Sequence, residues 1–534
     1  MILFRHPCIR TLDPTQPVVD GLLVQGDTVL EVAPYAQLRD QVDSSVPEVQ
    51  LPGECVLPGF NDAHVHTWKV GQLRTTILDL RGVQTKEELF ERLRQFAVLR
   101  PHGTWLLARG YNEALFSKAE HPNRLELDRC VPDHPVWVMR TCAHMGVANT
   151  KALRLAGISS AMVPPVGGHI VLDSKGELTG LLQETAMGLI QRMIPAPTLS
   201  EYESWIRSGQ QAQLEYGITS ATDPAVHPEL LEAYRNLEGR GELLNRHALL
   251  AIRRPDGGTI DYPIPVPSNS RWLRVDGVKA FADGGLSGAT AALSVFYRHS
   301  NTKGILRFNE DTLYRLLLPA HREGFRIGIH AIGDAAIEQV LTVYERLYRE
   351  SRGVAHRIEH FGLPTQQHLQ RAARMGLNLI PQAIFIRELG KNFHAYLPKN
   401  WWERPYPIRS MVESGCNTAL SSDAPVVFDF NPLQGMQTAC TRLDASGNLH
   451  TESEALSISQ AVQAYTVAGA MASGDGDNRG VLSKGKLADF VALSADPYNI
   501  PASELSSVTV LQTWVGGECR YQSAMQKNSS GEQT

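Results

Sequence analysis

The stretch RIGIHAIGDAAIEQVLTVYERLYRESRGVAHRIEH, residues 326–360, decides the fold. Arg326-Ile327-Gly328-Ile329-His330 and His356-Arg357-Ile358-Glu359-His360 read as short strands, whereas Ala335–Tyr348 carries apolar residues at the spacing of one helix face. Strand, helix, strand in that order implies two parallel strands joined by a helical crossover. Both strands end in histidine, the place where parallel barrels collect their reactive groups.

The same pattern extends outward. Lys86–Leu99, Ser200–Tyr216 and Glu310–Glu323 read as helices, and Trp105–Ala108, Val136–Met139, Leu273–Phe281, Asn378–Ile380 and Asn417–Asp423 read as β-rich runs. Seven or eight such units predict an α/β chain built on a (β/α)8, TIM-like barrel. No self-similar period of about 20–50 residues is present, which argues against a solenoid. Both ends differ from this middle: Val18–Val32 and the segments Gly485–Leu493 and Val508–Glu518 alternate apolar and polar residues around glycine turns. The expected organisation is a small composite β-sandwich from 1–57 plus 478–521, a barrel over 58–477 with an insertion around 100–200 above its mouth, and a disordered tail over 522–534.

Composition sets the outer limits. A chain of 534 residues, 43% hydrophobic and with a net charge of -5, has material for a large core but no basic field for nucleic acid. Its seven cysteines are odd in number, scattered and without a CxxC, which speaks against a disulfide framework or a thiolate zinc site. No apolar run approaches the ~18 residues of a membrane span, and Arg5, His6 and Arg10 interrupt the first dozen residues where a signal peptide would be apolar. A cytoplasmic protein without nucleic-acid or membrane partners is expected, acting on a small molecule, with a homodimer as the candidate assembly.

The chemistry is written at strand ends. His64 and His66, in Asp62-Ala63-His64-Val65-His66, stand at i, i+2 and point to one side of an extended chain. His330, His360 and Asp423 end later strands, and Lys279 sits in the apolar run Val275–Phe281. Each alone also reads as a helix cap, a solvated group or, for Lys279, an ion pair with Asp276 or Asp283; together, in barrel order, they read as a metal site. Imidazole and carboxylate suit zinc foremost, with iron, manganese and nickel as alternatives. His64 and His66 would hold one ion, His330 and His360 a second, and Asp423 would bind the first and serve as general base. A metal lowers the pKa of bound water towards ~7 and polarises the carbonyl under attack. A neutral Lys279 amine would add carbon dioxide to form a carbamate able to bridge both ions.

On these residues the chain resembles the metal-dependent amidohydrolases, and within them the YtcJ-like branch that also contains N-substituted formamide deformylase. The motifs that carry the resemblance are PGFNDAHVH (58–66), DHPVWVMRTCAHMGVANTKAL (133–153), GELTGLLQETA (176–186), DGVKAFADGGLSGATAAL (276–293), IHAIGDAAIEQVL (329–341), RIEHF (357–361), SSDAPV (421–426) and GKLADFVAL (485–493). The resemblance implies a barrel joined to a terminal β-sandwich and hydrolysis of a non-peptide carbon–nitrogen bond, with an N-substituted formamide as one substrate. It implies His64, His66, His330, His360, carboxylated Lys279 and Asp423 as metal ligands, Asp423 as base, and His144, Glu184 and Trp68 near the substrate. Two other readings stay open at this level: a mononuclear deaminase of an amidine or aminated heterocycle, and a non-catalytic regulatory protein on the same scaffold.

Overall fold

The computed structural model describes residues 1–524 apart from 142–144, 166–167, 256–257, 287 and 299. The chain divides into two compact units, Met1–Thr67 with Gln210–Thr534, and Trp68–Gly209.

Eight parallel strands form the centre of the larger unit: β1 Phe60–Asp62, β2 Ile218–Val226, β3 Arg246–Ile252, β4 Leu273–Phe281, β5 Arg326–Ala331, β6 Arg357–His360, β7 Asn378–Ile380 and β8 Asn417–Thr418. They neighbour one another in chain order. Main-chain hydrogen bonds close the ring between the ends of β8 and β1: Asp423 N–H to His64 C=O at 2.7 Å and His66 N–H to Ala424 C=O at 2.9 Å. The result is a (β/α)8 barrel. Side chains alternate across each strand, so Val278, Ala280, Ile327, Ile329, Ala331 and Ile358 face outward into one apolar core with Ile337, Val340, Leu341 and Tyr344 of the helix Asp334–Glu350. The alternate positions Lys279, Gly328, His330 and Glu359 are thereby turned inward, and register sets Lys279 beside Gly328 and His330 beside Glu359.

Strands from both chain ends make one further sheet of the larger unit, in the order Glu518–Gln522, Val510–Val515, Phe490–Leu493, Cys55–Pro58, Ile2–Arg10, Val18–Gln25, Thr28–Ala33. It curls until Val29 N–H donates to Lys486 C=O at 2.8 Å, which covers an otherwise open edge. Phe4, Phe490 and Trp514 pack inside the curl with ring centroids 4.9–5.6 Å apart. The Asp20-Gly21 pair, a turn signal by type, lies inside a strand, and glycine is needed there because a Cβ would come within 2.8 Å of the Tyr35 backbone. The hairpin turns instead at Gly26, with φ 60°. Gln522 ends the last strand and Ser523 is buried; residues 525–534 of the expected tail lie outside the described residues.

The smaller unit has its own sheet, ordered Gly168–Leu172, Leu178–Glu184, Met145–Ala148, Val136–Arg140, Leu106–Tyr111, Ile77–Asp79. The apolar runs around 105–108 and 136–139 therefore belong to this sheet and not to the barrel. β2 escapes the sequence pattern because polar residues such as Ser220 and Thr222 break its apolar texture; β3 carries the readable apolar run Ala248–Ile252 behind Arg246-His247 but is absent from the expected strands. Among the described residues no helix is long and apolar enough to cross a membrane.

Below β5 and β6 lies a buried polar relay. Ile327 N–H donates to His356 Nδ1 at 3.2 Å, which places the His356 proton on Nε2, facing His321 Nδ1 at 2.9 Å. Burial lowers His356 to about 3. A histidine depressed in the folded state contributes stability that is complete above its unfolded value near 6.5 and is lost as pH falls towards 3. The stability advantage of wild type over His356→Asn, measured by urea denaturation, is expected to shrink by roughly 2–3 kcal/mol between pH 7 and pH 4.5. A pH-independent difference would show that His356 titrates normally in the fold.

Candidate metal centre

Asp423 is the point on which the strand-end residues converge. His64 Nε2 lies 3.3 Å and His66 Nε2 3.4 Å from its Oδ1, and His360 Nδ1 lies 4.0 Å from its Oδ2. Donor atoms of His64, His360 and Asp423 all fall within 4.8 Å of one another. The His330 ring stands 4.3 Å from that of His360, with its Nε2 directed at Gly284 C=O at 3.2 Å. Lys279, 1% exposed, belongs to the same interior: its charge interacts with Glu359 and Asp423. Neither acid considered as its partner is available, since Asp276 is bound by Arg274 and Arg326, and Asp283 receives the backbone N–H groups of Ala292, Ile332 and Gly333 at 2.9–3.1 Å.

Backbone conformation delivers two of these groups. His360 follows Glu359 on β6 and would face outward by alternation, but its φ of 72° turns it inward. Asp423 has φ 57°. Left-handed conformations of non-glycine residues cost on the order of 1–3 kcal/mol and persist where surrounding contacts over-determine them. For Asp423 the contacts come from Asp62, whose Oδ1 accepts from His64 N–H and Ser422 N–H at 3.1 Å each and whose Oδ2 accepts from the Ser422 hydroxyl at 2.6 Å. Asp62 thus ties the two loops that close the barrel, acting through backbone and Ser422.

Hydrogen bonds fix the imidazole tautomers. Gln382 donates its amide to Ile380 C=O and Ser421 Oγ, both at 2.9 Å, so its Oε1 faces His360 Nδ1 at 2.8 Å as an acceptor. His360 is therefore protonated at Nδ1. In the same way the Glu359 carboxylate, 2.5 Å from His64 Nδ1, holds that proton and turns Nε2 towards Asp423. Glu359 is itself gripped by Arg357, whose Nε and Nη2 donate to it at 2.5 and 3.0 Å. Burial lowers His360 to about 4 and takes His330 well below its ordinary range, leaving both neutral and able to coordinate. Burial raises a carboxylate, yet His64 and His66 outweigh it and hold Asp423 well below the usual range. Burial lowers Lys279 to about 8 against the pull of Glu359 and Asp423.

The outcome is a set of imidazoles gathered round one ionised carboxylate. Burial and Lys279 lower His64, yet Asp423 and Glu359 outweigh them and raise it, so that without a metal its Nε2 holds a proton towards Asp423 at 3.3 Å, the place a divalent cation would take. The donor set fits a borderline divalent metal, and the partners of the opposite ring nitrogens, Glu359 and Gln382, are those expected to orient metal-bound histidines. Beside the cluster opens a cavity of about 250 Å³ floored by His330, His360 and Asp423 and walled by Ile332, Leu363, Phe385, Phe393 and Tyr406.

Arg357, Glu359, Gln382 and Ser422 were not singled out from the sequence. The alternation Arg357-Ile358-Glu359 within a strand was the available signal for two of them; Gln382 lies beyond the end of β7 with no pattern of its own. Trp68 and Glu184 belong to the smaller unit, where Trp68 stacks on Trp205 at 6.1 Å and Glu184 ends a strand with φ 50°. His144 lies outside the described residues.

Residues 48–521 match the amidohydrolase family profile. The chain belongs to the amidohydrolase family. It is 31% identical to the protein LONG AFTER FAR-RED 3 of Arabidopsis thaliana over 97% of this chain and 91% of that one. It is 29% identical to the amidohydrolase YtcJ of Bacillus subtilis (strain 168), covering 94% and 96%, and 28% identical to N-substituted formamide deformylase of Arthrobacter pascens, covering 96% and 97%. Among solved structures, a metal-dependent hydrolase of Pyrococcus horikoshii OT3 superposes with a TM-score of 0.78 at 25% identity, over 94% of this chain and 99% of that one. This amidohydrolase is accordingly an enzyme, a metal-dependent hydrolase of carbon–nitrogen bonds other than peptide bonds.

The buried Arg357–Glu359 pair gives a stability prediction for this amidohydrolase. Arg357→Met strands Glu359 without its main counter-charge and is expected to cost about 3–5 kcal/mol in urea denaturation, whereas Arg357→Met with Glu359→Leu restores a large part of the loss. Additive single-variant losses would show that the two residues are not coupled.

Proposed function

We propose that this amidohydrolase cleaves the amide-like C–N bond of a small molecule carrying an apolar substituent, with N-substituted formamides as the first class to test. One observation carries the reading: the Nε2 atoms of His64 and His66 converge on one oxygen of an ionised, buried Asp423 beside an apolar cavity. In this reading His64, His66 and Asp423 hold one divalent ion, zinc first among the candidates. His330 and His360 would hold a second, and Lys279, carboxylated by carbon dioxide, would supply a further anionic ligand. Bound metal supplies a Lewis acid for the substrate carbonyl and a water acidified to near neutrality.

The chain's own groups do the rest. Asp423, held ionised, accepts the proton of the attacking water and returns it to the departing nitrogen. Glu359 and Gln382 keep the protons of His64 and His360 on Nδ1, so both Nε2 atoms stay available throughout turnover. The walls of Ile332, Leu363, Phe385, Phe393 and Tyr406 desolvate the apolar substituent and place no cation where a substrate anion would need one. The 28% identity to N-substituted formamide deformylase across both chains supports starting the substrate screen with that class.

Metal analysis of the purified protein is expected to give about two equivalents. One equivalent favours the mononuclear deaminase arrangement, and none overturns both. Asp423→Asn is expected to retain much of its metal while kcat falls about 10²–10⁴-fold; unchanged turnover removes Asp423 from the role of base. His330→Ala is expected to lose metal, and full retention of both equivalents shows that His330 is not a ligand. In a screen of N-formyl, N-acyl and cyclic amides alongside aminated heterocycles, turnover confined to the heterocycles contradicts the proposal.

A further inference from the structure

Cys8 and Cys55, 47 residues apart in sequence, meet on the terminal sheet. Their strands run parallel with Ile9 paired to Val56, so the cysteines are neighbours one step earlier in the register. Ile9 and Val56 point into the apolar core of the sheet; the cysteines therefore share the opposite face, where both sulfurs and an Asp496 carboxylate oxygen lie within 4.8 Å of one another. Cys55 is buried and Cys8 partly exposed.

This trio is a poor metal site. Asp496 is already bound by Arg10 through Nε at 2.9 Å and Nη2 at 2.5 Å, and it accepts from Tyr498 N–H and the Asn499 side chain at 3.1 and 2.9 Å. A fixed guanidinium beside the sulfurs disfavours a further cation and favours a thiolate. The hydrogen bond from Cys55, helped by Arg10, outweighs burial and Asp496 and lowers Cys8 to about 7. Burial or local contacts raise Cys55, Cys130, Cys416, Cys440 and Cys519. Among the described cysteines Cys8 is thus the one that combines thiolate character with partial exposure, and a second sulfur stands next to it.

We propose that Cys8 and Cys55 form a redox site, oxidised by a hydroperoxide to a reversible disulfide on the terminal sheet. The Cys8 thiolate attacks the outer peroxide oxygen; the S–O bond forms, the O–O bond breaks, and the leaving hydroxide or alkoxide takes up a proton. Loss of the thiolate removes the contact that most raises Cys55. Cys55 then gives up its proton, its sulfur attacks the Cys8 sulfur, the S–S bond forms and water leaves. Two thiols have lost two electrons to the peroxide, and a dithiol reverses the change. Neighbouring strands about 4.8 Å apart lie inside the Cα separation of about 4.4–6.8 Å that a disulfide spans. The bridge would tie the N-terminal strand to Cys55–Pro58, which leads directly into β1 and His64.

Full-length protein exposed to hydrogen peroxide, alkylated and digested is expected to yield the Cys8 and Cys55 peptides as one species, two hydrogen masses lighter than their sum and separated by dithiothreitol. Cys8 is expected to react at least about tenfold faster than Cys519. Cys55→Ser should stop at a Cys8 sulfenic acid that dimedone traps, and Cys8→Ser should leave Cys55 unmodified. If a variant does not fold, the wild-type peptide map alone decides. Separate, alkylated Cys8 and Cys55 peptides after peroxide, a Cys8 sulfinic acid beside an intact Cys55 thiol, or faster oxidation at Cys519 would each overturn the proposal.

Discussion

A buried carboxylate on which imidazole nitrogens converge is the constraint on which the rest of the larger unit depends. Asp423 sits 3.3–3.4 Å from His64 Nε2 and His66 Nε2, and that arrangement calls for a proton or a metal cation between the atoms. Much of the surrounding structure reads as provision for it. Arg357 fixes Glu359, Glu359 fixes the His64 proton, Gln382 fixes the His360 proton, and Asp62 with Ser422 holds the loop that presents Asp423. Gly328 belongs to the same provision, because a Cβ there would stand 2.6 Å from Glu359 Oε1.

The barrel makes this geometry affordable in free energy. Outward residues of β4 to β6 bury against the helices and secure the strands, and alternation then delivers Lys279, His330 and Glu359 to one interior without further design. The two side chains that alternation would misplace, His360 and Asp423, are brought in by left-handed backbone at loops already clamped by hydrogen bonds. Two of the left-handed residues thus serve the chemistry, in loops held by Asp62, Ser422 and Gln382.

The barrel was legible wherever helices and apolar strands alternated, as from Glu310 to Met375, because both periodicities report burial directly. It was illegible at β2, whose polar residues mask the strand pattern, while the apolar run Ala248–Ile252 of β3 offered a signal that was passed over, and the runs at 105–108 and 136–139 misled because an apolar strand does not declare which sheet it joins. The histidines and Asp423 could be picked out as strand-end residues of metal-binding type. Their supports could not: Gln382 and Ser422 act through contacts made across the barrel, which no local spacing encodes. The same limit applies to Cys8 and Cys55, scattered in the sequence and adjacent only through a parallel pairing.

Anomalous diffraction at the metal edge, on crystals of the metal-replete protein, tests the central claim most directly. The account predicts a peak bonded to Nε2 of His64, Nε2 of His66 and Asp423, with a second peak at His330 and His360. A peak bound through Nδ1 of His64, or metal found only away from Asp423, would contradict it.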